Sequence, residues 1–236
     1  MEPLIRATNL SAGYGGAIVV RDLDLEVHPG EVVALLGPNG AGKTTTLLTL
    51  AGEIRPASGT VTWAGSDAWS PLHRRARQGL AFIPEERSVF PRLSVRQNLS
   101  LARGREESRV AGLFPELDAL HGRRGGLLSG GEQQMLVVKR ALSRPTKLLL
   151  ADELSLGLAP RTTGGLLRAI RTAADHGVGV LVVEQHVHRV LQIADRVYVL
   201  RQGRLGFSTT AEYARANLHE IQEKYLTSAA HSTRAI

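Results

Sequence analysis

Polar and apolar positions alternate without exception over residues 22–27, Asp-Leu-Asp-Leu-Glu-Val. A period of two is typical of a strand with one face in water. The alternation is replaced at residues 32–36 by a continuous apolar run. Residues 148–151 and 178–183 form apolar runs of the same kind. Such runs predict strands of a parallel sheet that is covered on both faces. The chain therefore contains at least three buried strands.

Segments with helical spacing separate these buried runs. We predict helices over residues 43–51, over residues 132–143, where Pro145 stops the helix, and over residues 162–175, which end near Gly177. Alternating strands and helices are typical of an α/β sheet with crossover helices. The fold class predicted from the pattern is thus α/β.

Two parts of the chain depart from that alternation. Residues of about 4–27 and 60–63 predict a separate N-terminal antiparallel β piece, and residues 197–200 and 204–207 predict a hairpin. Residues of about 90–145 hold helical patterns without a buried strand, so we expect a small helical lobe inserted in the sheet domain. The last residues, 227–236, are small and polar and are expected to form a flexible tail.

Composition narrows the class of protein. The 236 residues are 43% hydrophobic and 22% charged, which is ordinary for a folded chain of one large domain or two small ones. The absence of cysteine excludes disulfides and thiolate chemistry. The longest apolar stretch, residues 177–183, is far short of the roughly 18 residues that span a bilayer. The first ten residues lack the pattern of a secretory signal, so we expect a cytoplasmic protein.

The net charge of +7 favours anionic ligands or partners, but its distribution argues against nucleic acid. The basic residues are scattered, and only four Phe, four Tyr and two Trp accompany them. A surface that stacks single strands needs more aromatic side chains beside its charge. No nucleic-acid partner is therefore expected.

A glycine-rich loop lies between the first buried run and the first predicted helix. Residues 37–44, Gly-Pro-Asn-Gly-Ala-Gly-Lys-Thr, fit the pattern G-x-x-x-x-G-K-[ST]. The backbone N–H groups of such a loop point at phosphate oxygens, and the helix start adds positive charge. Lys43 is expected to reach the β and γ phosphates, and Thr44 to bind magnesium. A glycine-rich turn with a chance lysine is the alternative, and the strand-to-helix context favours a nucleotide site.

Two acidic residues follow the apolar run at 148–151. Asp152, at the strand end, is placed to hold magnesium or its water, and Glu153 is placed to polarise an attacking water. A solvated acidic strand end is the alternative interpretation. The phosphate loop makes the functional interpretation the stronger one.

A second glycine motif opens the helix predicted near residue 132. Residues 128–132 read Leu-Ser-Gly-Gly-Glu, with Ser129 and Glu132 at capping-box spacing. A helix cap is one interpretation, but two glycines in a first turn also expose N–H groups to an anion. Here the chain resembles the ATP-binding subunits of ABC transporters, whose signature LSGGQ is matched at four positions. The resemblance covers about residues 4–210.

That resemblance implies a P-loop NTPase sheet core and a two-subunit mechanism. In the family, two subunits pack head to tail, and each signature closes over the γ phosphate of the nucleotide held by the other. ATP and Mg²⁺ are the implied ligands, with Lys43, Glu153 and Gln185 as catalytic residues and Thr44, Glu85 and Asp152 as metal ligands. The implied nucleotide contacts are Tyr14, Gly37, Pro38, Asn39, Gly40, Ala41, Gly42, Lys43, Thr44, Thr45, Ser129, Gly130 and Gly131.

Several positions depart from the commonest family pattern. Glu85 stands where the family usually has a glutamine that binds magnesium and the attacking water, and a carboxylate can still ligate magnesium. Gln185 stands where the family has a γ-phosphate histidine, and glutamine cannot carry its positive charge. Leu154 replaces a usual proline, and Ala159 a usual aspartate. The first two changes suggest an alternative, a nucleotide-controlled binding subunit that hydrolyses little ATP.

These departures, together with residues 128–136 and 155–160, resemble the LivF type of ABC subunit, which serves branched-chain amino-acid importers. The resemblance implies an ATPase peripheral to the inner face of the cell membrane. The implied partners are transmembrane permease subunits, a second ABC ATPase subunit, identical or homologous, and indirectly a solute-binding protein. The alternatives are an importer ATPase for urea or short amides, and a soluble or regulatory ABC ATPase with low turnover.

Overall fold

The computed structural model describes residues 2–102, 112–184 and 186–226. An antiparallel sheet of three strands is built from the N-terminal part of the chain. Strand β1 (Ile5–Tyr14) lies between β2 (Ala17–Val27) and β4 (Ser58–Trp63). The alternation at residues 22–27 is confirmed, because Leu23, Leu25 and Val27 are buried while the residues between them are not.

A second sheet of six strands carries the predicted buried runs. Its order is β5 (Leu80–Ile83), β6 (Leu148–Asp152), β7 (Gly179–Val183), β3 (Val32–Leu36), β8 (Arg196–Arg201) and β9 (Arg204–Thr210). The first five strands are parallel, and β9 pairs antiparallel with β8 as the predicted hairpin. Every residue of β3, β6 and β7 is buried. Strand β5 is absent from the sequence prediction, because four apolar residues before a proline carry no periodicity.

The helices of the described ranges connect or cover these strands. They are α1 (Lys43–Ala51), α2 (Leu72–Arg77), α3 (Val95–Ser100), α4 (Gly130–Leu142), α5 (Pro160–Asp175), α6 (Val187–Val190), α7 (Ala211–Ala216) and α8 (Leu218–Leu226). The three predicted helices correspond to α1, α4 and α5, with starts that differ by at most two residues. Across the same ranges, no helix is both long and apolar enough to cross a membrane.

The parallel sheet divides the interior into two hydrophobic layers. Val32, Ala34 and Leu36 of β3 belong to one cluster, which includes the inner faces of α4 and α5. Val33 and Leu35 belong to the other, which includes α1 and the antiparallel sheet. Because successive side chains of a strand point to opposite faces, a continuous apolar run is what this middle layer requires.

The segment expected to form a helical lobe contains α3, α4 and two short 3₁₀ helices, Pro115–Leu120 and Gly125–Leu127. Its described residues include one isolated bridge, between Ser94 and Arg124, and no strand. Residues 103–111 and the expected tail at 227–236 lie outside the described residues. The lobe limits of 90 and 145 therefore stay a prediction.

A buried arginine secures the end of the helix that follows the phosphate loop. Arg75 is fully buried, and its Nε donates to the Ser70 carbonyl oxygen at 2.9 Å while its Nη1 donates to the Leu50 carbonyl oxygen. Burial lowers the pKa of Arg75 to about 10, so the guanidinium remains charged at neutral pH. Leu50 is in the last turn of α1, where a cation complements the helix dipole.

We predict that Arg75→Met destabilises the protein by about 2–4 kcal/mol, because the carbonyl groups of Leu50 and Ser70 lose buried donors. Urea unfolding at pH 7 measures the change. Arg74→Met is the matched control, since Arg74 is exposed on the same helix and should change stability by less than about 0.5 kcal/mol. Equal stability of Arg75→Met and the parent would contradict the prediction.

Candidate nucleotide-binding site

The loop between β3 and α1 has the backbone conformation of a phosphate cradle. Gly42 is the N-cap of α1 and has φ 103°, a left-handed conformation that side chains rarely adopt. A Cβ at Gly42 would also lie 3.0 Å from Val20 of β2. Within the loop, the Ala41 N–H donates to the Pro38 carbonyl oxygen at 3.1 Å. The sequence places glycine where the backbone must turn into the helix close to a packed strand.

Lys43 lies across this loop. Its Nζ donates to the carbonyl oxygens of Gly37 at 2.9 Å and Pro38 at 3.2 Å, and the residue is 5% exposed. Burial lowers the pKa of the Lys43 ammonium, while the negative charges of Glu153, Asp152 and Glu85 oppose that shift. The ammonium is thus held among acceptors and carboxylates at the position where phosphate oxygens are expected.

Asp152 ends strand β6 and is 1% exposed. Burial raises the pKa of its carboxyl, and a hydrogen bond with the Thr44 side chain opposes the shift. The carboxylates of Glu153 and Glu85 raise the pKa further, and Lys43 lowers it. One carboxylate oxygen, Oδ1, is buried without a hydrogen-bond partner.

This arrangement fits a magnesium ion. An unsatisfied carboxylate oxygen beside a hydroxyl offers the oxygen ligands that Mg²⁺ prefers. In the described part of the chain, no group of three or more His, Cys, Asp or Glu is placed to hold a metal. Thr44 and Asp152 suit Mg²⁺ nonetheless, because that ion commonly uses one or two carboxylates together with phosphate oxygens and water.

A cleft of about 540 Å³ opens beside the loop. It brings together the predicted residues Lys43, Thr44, Glu85 and Glu153, which come from three segments of the chain. Its lining residues are Val19, Asn39, Gly40, Gly42, Lys43, Thr44, Thr45, Glu85, Glu153 and Leu156. The phosphate loop and the residue that follows the acidic strand end therefore both line this cleft.

Glu153 has an unusual backbone conformation, with φ 45°. Left-handed backbone is strained for a residue other than glycine and is frequent at functional sites. The Glu153 N–H donates to the Val183 carbonyl oxygen at 3.0 Å, which continues the β6–β7 pairing by one residue. The strand pairing and the turn together aim this residue at the cleft.

The second glycine motif lies at the start of α4 and does not line this cleft. Ser129 is the N-cap, its Oγ accepts the Glu132 N–H at 3.3 Å, and the Glu132 carboxylate accepts the Ser129 N–H at 2.7 Å. The predicted capping box is therefore confirmed. Within one chain, the structure does not bring the motif to the phosphate loop.

The two glycines of this motif also have a steric cause that the sequence does not reveal. A Cβ at Gly130 would lie 2.8 Å from the guanidinium of Arg87, and a Cβ at Gly131 would lie 2.8 Å from the side chain of Thr162. The start of α4 thus packs closely against the segment that follows Glu85 and against α5. At Gly131 a side chain would collide with Thr162, whereas at Gly130 the flexible end of Arg87 would have to move aside.

Tyr14 is a further predicted residue that does not line the cleft. Tyr14 lies at the end of β1, beside the turn into β2, with its side chain 51% exposed and outside the residues that line the cleft. Gln185 lies outside the described residues. The remaining expected contacts, Asn39, Ala41 and Thr45, belong to the loop and the first turn of α1.

A buried hydrogen-bonded pair next to the cleft has no counterpart in the sequence prediction. The Glu184 carboxylate accepts the Ser155 N–H at 3.0 Å and the Ser155 hydroxyl at 2.7 Å. Glu184 is 3% exposed and Ser155 is 2% exposed. An acidic residue that directly follows an apolar strand is the signal that could have drawn attention to it.

Comparison with known proteins agrees with this geometry. The family described as ABC transporter matches residues 20–155. The chain is 39% identical over 226 residues to the high-affinity branched-chain amino acid transport ATP-binding protein BraG of Pseudomonas aeruginosa, covering 92% of this chain and 97% of that protein. It is 36% identical over 218 residues to the probable branched-chain amino acid transport ATP-binding protein LivF of Archaeoglobus fulgidus, covering 88% and 92%.

A third relative has a different transport role. The lipopolysaccharide export system ATP-binding protein LptB of Escherichia coli is 38% identical over 212 residues, covering 85% of this chain and 88% of that protein. Among solved structures, the ATP-binding subunit of an ABC transporter superposes with a TM-score of 0.82 at 26% identity, over 95% of this chain and 99% of that one. The dimeric structure of a bacterial ABC transporter cassette gives 0.75 at 22% identity, over 88% and 98%.

The chain belongs to the ABC transporter family, and the predicted fold, a P-loop sheet core with a separate antiparallel β piece, is confirmed. It is an ATP-hydrolysing enzyme and an ATPase subunit of a transporter. It is similar both to subunits that serve branched-chain amino acid transport and to subunits that serve lipopolysaccharide export.

We predict that Asp152→Asn raises the melting temperature of the nucleotide-free protein at pH 7 by about 2–4 °C. Because burial raises the pKa of Asp152 in the folded state, the folded protein holds this proton to higher pH than the unfolded chain. The group therefore costs stability as pH rises through the interval above its ordinary pKa, 3.8, and asparagine avoids that cost.

Thermal unfolding from pH 8 down to pH 4 measures this effect, and the difference in melting temperature should narrow as the pH falls toward the ordinary pKa of 3.8. Glu116→Gln is the control, since Glu116 is exposed and should give no such trend. A lower melting temperature for Asp152→Asn at pH 7 would mean that the ionised carboxylate is stabilising.

Proposed function

We propose that this chain is the ATP-binding and hydrolysing subunit of an ABC importer for branched-chain amino acids. The support is the 39% identity to BraG over nearly all of both chains, together with the LivF-type residues around Glu85, Ser129 and Glu184. The 38% identity to LptB favours a second candidate, an ATPase of lipopolysaccharide export. Solute selectivity belongs to the permease and binding protein, so the cleft itself does not decide between them.

The contacts of the cleft support a direct division of roles. The backbone N–H groups of the loop, among them those of Gly40 and Gly42, and the Lys43 ammonium bind the β and γ phosphates of ATP. Thr44, Asp152 and Glu85 hold Mg²⁺, which when bound neutralises charge that develops on the phosphate oxygens. Glu153, beside Lys43 and Glu85 in the cleft, polarises the water that attacks the γ phosphate.

The signature motif requires a second subunit in this proposal. Ser129, Gly130 and Gly131 lie at a helix start outside the cleft of their own chain, so they meet a γ phosphate only across an interface. A two-fold dimer would place each signature over the cleft of the other subunit. A cassette of the same fold has been solved as a dimer.

The proposed docking surface for the permease is a groove of about 890 Å³ between β5 and α4. Phe90 and Leu101 in its lining are 50% and 48% exposed, and the Arg140 guanidinium lies 5.3 Å from the centre of the Phe90 ring. Arg140 also donates to the Ser88 carbonyl oxygen. The groove thus joins the segment after Glu85 to the signature helix, so a permease seated there would respond to the nucleotide.

We predict that Glu153→Gln abolishes ATP turnover while leaving ATP bound and the dimer closed. Glutamine keeps the shape of the side chain but is a far weaker base for the attacking water. Turnover, nucleotide content and molecular mass in solution measure the outcome.

Lys43→Ala is the comparison variant for this experiment. It removes the cation from the phosphate site, so it should lose turnover together with ATP affinity. Hydrolysis of ATP by Glu153→Gln at the parental rate would contradict the role assigned to Glu153.

We predict that leucine, isoleucine and valine, delivered by the binding protein, stimulate ATP turnover when the chain is reconstituted in vesicles with its permease subunits. Urea and short amides are the comparison solutes. The control is Phe90→Asp, which places a charge in the groove and should lose stimulation while keeping the basal rate.

Stimulation by urea or amides alone would replace the amino-acid assignment. Neighbouring genes for lipopolysaccharide export, with stimulation by that lipid, would favour the second candidate. Turnover that responds to no membrane partner would indicate the soluble, regulatory alternative.

A further inference from the structure

We infer that Glu184 and Ser155 are positioning residues that hold Glu153 in the orientation needed for ATP hydrolysis. The inference rests on the role proposed above for Glu153. It concerns two residues that are not among those lining the nucleotide cleft. Their effect on the reaction would pass through the turn that carries Glu153.

Glu184 and Ser155 form their hydrogen bonds directly beyond the last paired residues of strands β6 and β7. Asp152 of β6 lies opposite Val183 of β7, and the Glu153 N–H still donates to the Val183 carbonyl oxygen at 3.0 Å. The register of the two strands has no further paired residues beyond this point. The Glu184 side chain then accepts the Ser155 N–H and hydroxyl, at 3.0 Å and 2.7 Å, in place of a backbone partner.

The turn that contains Ser155 is the one that gives Glu153 its strained backbone. The Leu156 N–H donates to the Glu153 carbonyl oxygen at 3.2 Å, and the Leu158 N–H donates to the Ser155 carbonyl oxygen at 3.1 Å. Glu153 has φ 45°, which persists only where neighbouring contacts prevent relaxation. Position 154 is a leucine, so no proline ring restrains this turn.

The hydrogen bonds to Glu184 supply a restraint at that place. They fix the Ser155 backbone from one side while the Val183 carbonyl oxygen fixes the Glu153 backbone from the other. Both partners of the carboxylate bonds are almost completely buried, so water does not compete for them. Without this restraint, the Glu153 backbone can return to an ordinary conformation and carry its carboxylate away from the cleft.

The test compares the steady-state ATP hydrolysis of the full chain with four variants, Ser155→Ala, Glu184→Ala, Glu184→Gln and the Ser155→Ala/Glu184→Ala double variant. A displacement of about 1 Å at a reacting group costs about 100-fold in rate. We therefore expect Ser155→Ala and Glu184→Ala to lower kcat by about 10- to 100-fold, with KM for ATP within about threefold of the parent.

The conservative and double variants separate positioning from general stability. Glutamine at 184 can accept the Ser155 N–H and donate to its hydroxyl, so Glu184→Gln should recover kcat to within about threefold of the parent. The double variant should lose no more than the larger single loss, because both changes remove one restraint. Ser155→Ala is a small change that keeps the test valid if Glu184→Ala fails to fold.

Glu31→Ala is the matched control. Glu31 is another largely buried carboxylate; it accepts the His28 N–H at 2.9 Å and binds Arg196, and it directly precedes β3 at the opposite end of the sheet. Its loss should lower the melting temperature with kcat unchanged. A fall in kcat for this control equal to that of Glu184→Ala would show that stability alone governs the rate.

Two outcomes would overturn the inference: parental kcat in both Ser155→Ala and Glu184→Ala, or equal losses in kcat and ATP affinity. Glu153→Gln, measured in parallel, distinguishes failure of the role proposed for Glu153 from failure of the positioning role. If Glu153→Gln hydrolyses ATP normally, the proposed role of Glu153 fails. If Glu153→Gln is inactive while the Ser155 and Glu184 variants are normal, only the positioning role fails.

Discussion

Desolvation of opposite charges at the carboxyl edge of the parallel sheet is the constraint on which the rest of this structure depends. Lys43 and Asp152 are almost fully buried, and burial shifts the pKa of each toward its neutral form. The protein thus holds an ammonium and a carboxylate where each is costly without a partner. Phosphate oxygens and a divalent cation would satisfy both charges, which agrees with the membership of the chain in a family of ATP-hydrolysing enzymes.

The framework that maintains these charges is a sheet covered on both faces. Strands β3, β6 and β7 are buried throughout, so their ends are fixed in relation to one another, and the phosphate loop, Asp152 and the segment after Val183 all leave that one edge. Polar residues just beyond the strand ends then form hydrogen bonds between the segments that leave this edge. Within the described residues, Glu184 extends the β6–β7 contact by a side chain where the backbones part.

The start of α4 is linked to the cleft indirectly. It packs through Gly130 against Arg87, two residues after Glu85, and Arg140 from the same helix bonds the Ser88 carbonyl group. A single segment after β5 therefore contacts the cleft at Glu85 and the signature helix further on. Under the proposed function, this connection would let the nucleotide influence the orientation of α4, and through it the groove proposed for the permease.

By itself, the sequence was sufficient for the features that depend on local order. The apolar runs at 32–36 and 148–151, the loop at 37–44 and the capping box of Ser129 and Glu132 were all predicted, because periodicity, turn chemistry and capping act over a few neighbouring residues. Only the tertiary structure decided which distant residues meet. The contact of Glu184 with Ser155, the approach of Arg87 to Gly130 and the pairing of the short strand β5 with β6 join segments far apart in the chain. Such contacts follow from how the layers pack, and no local pattern of polar and apolar residues specifies them.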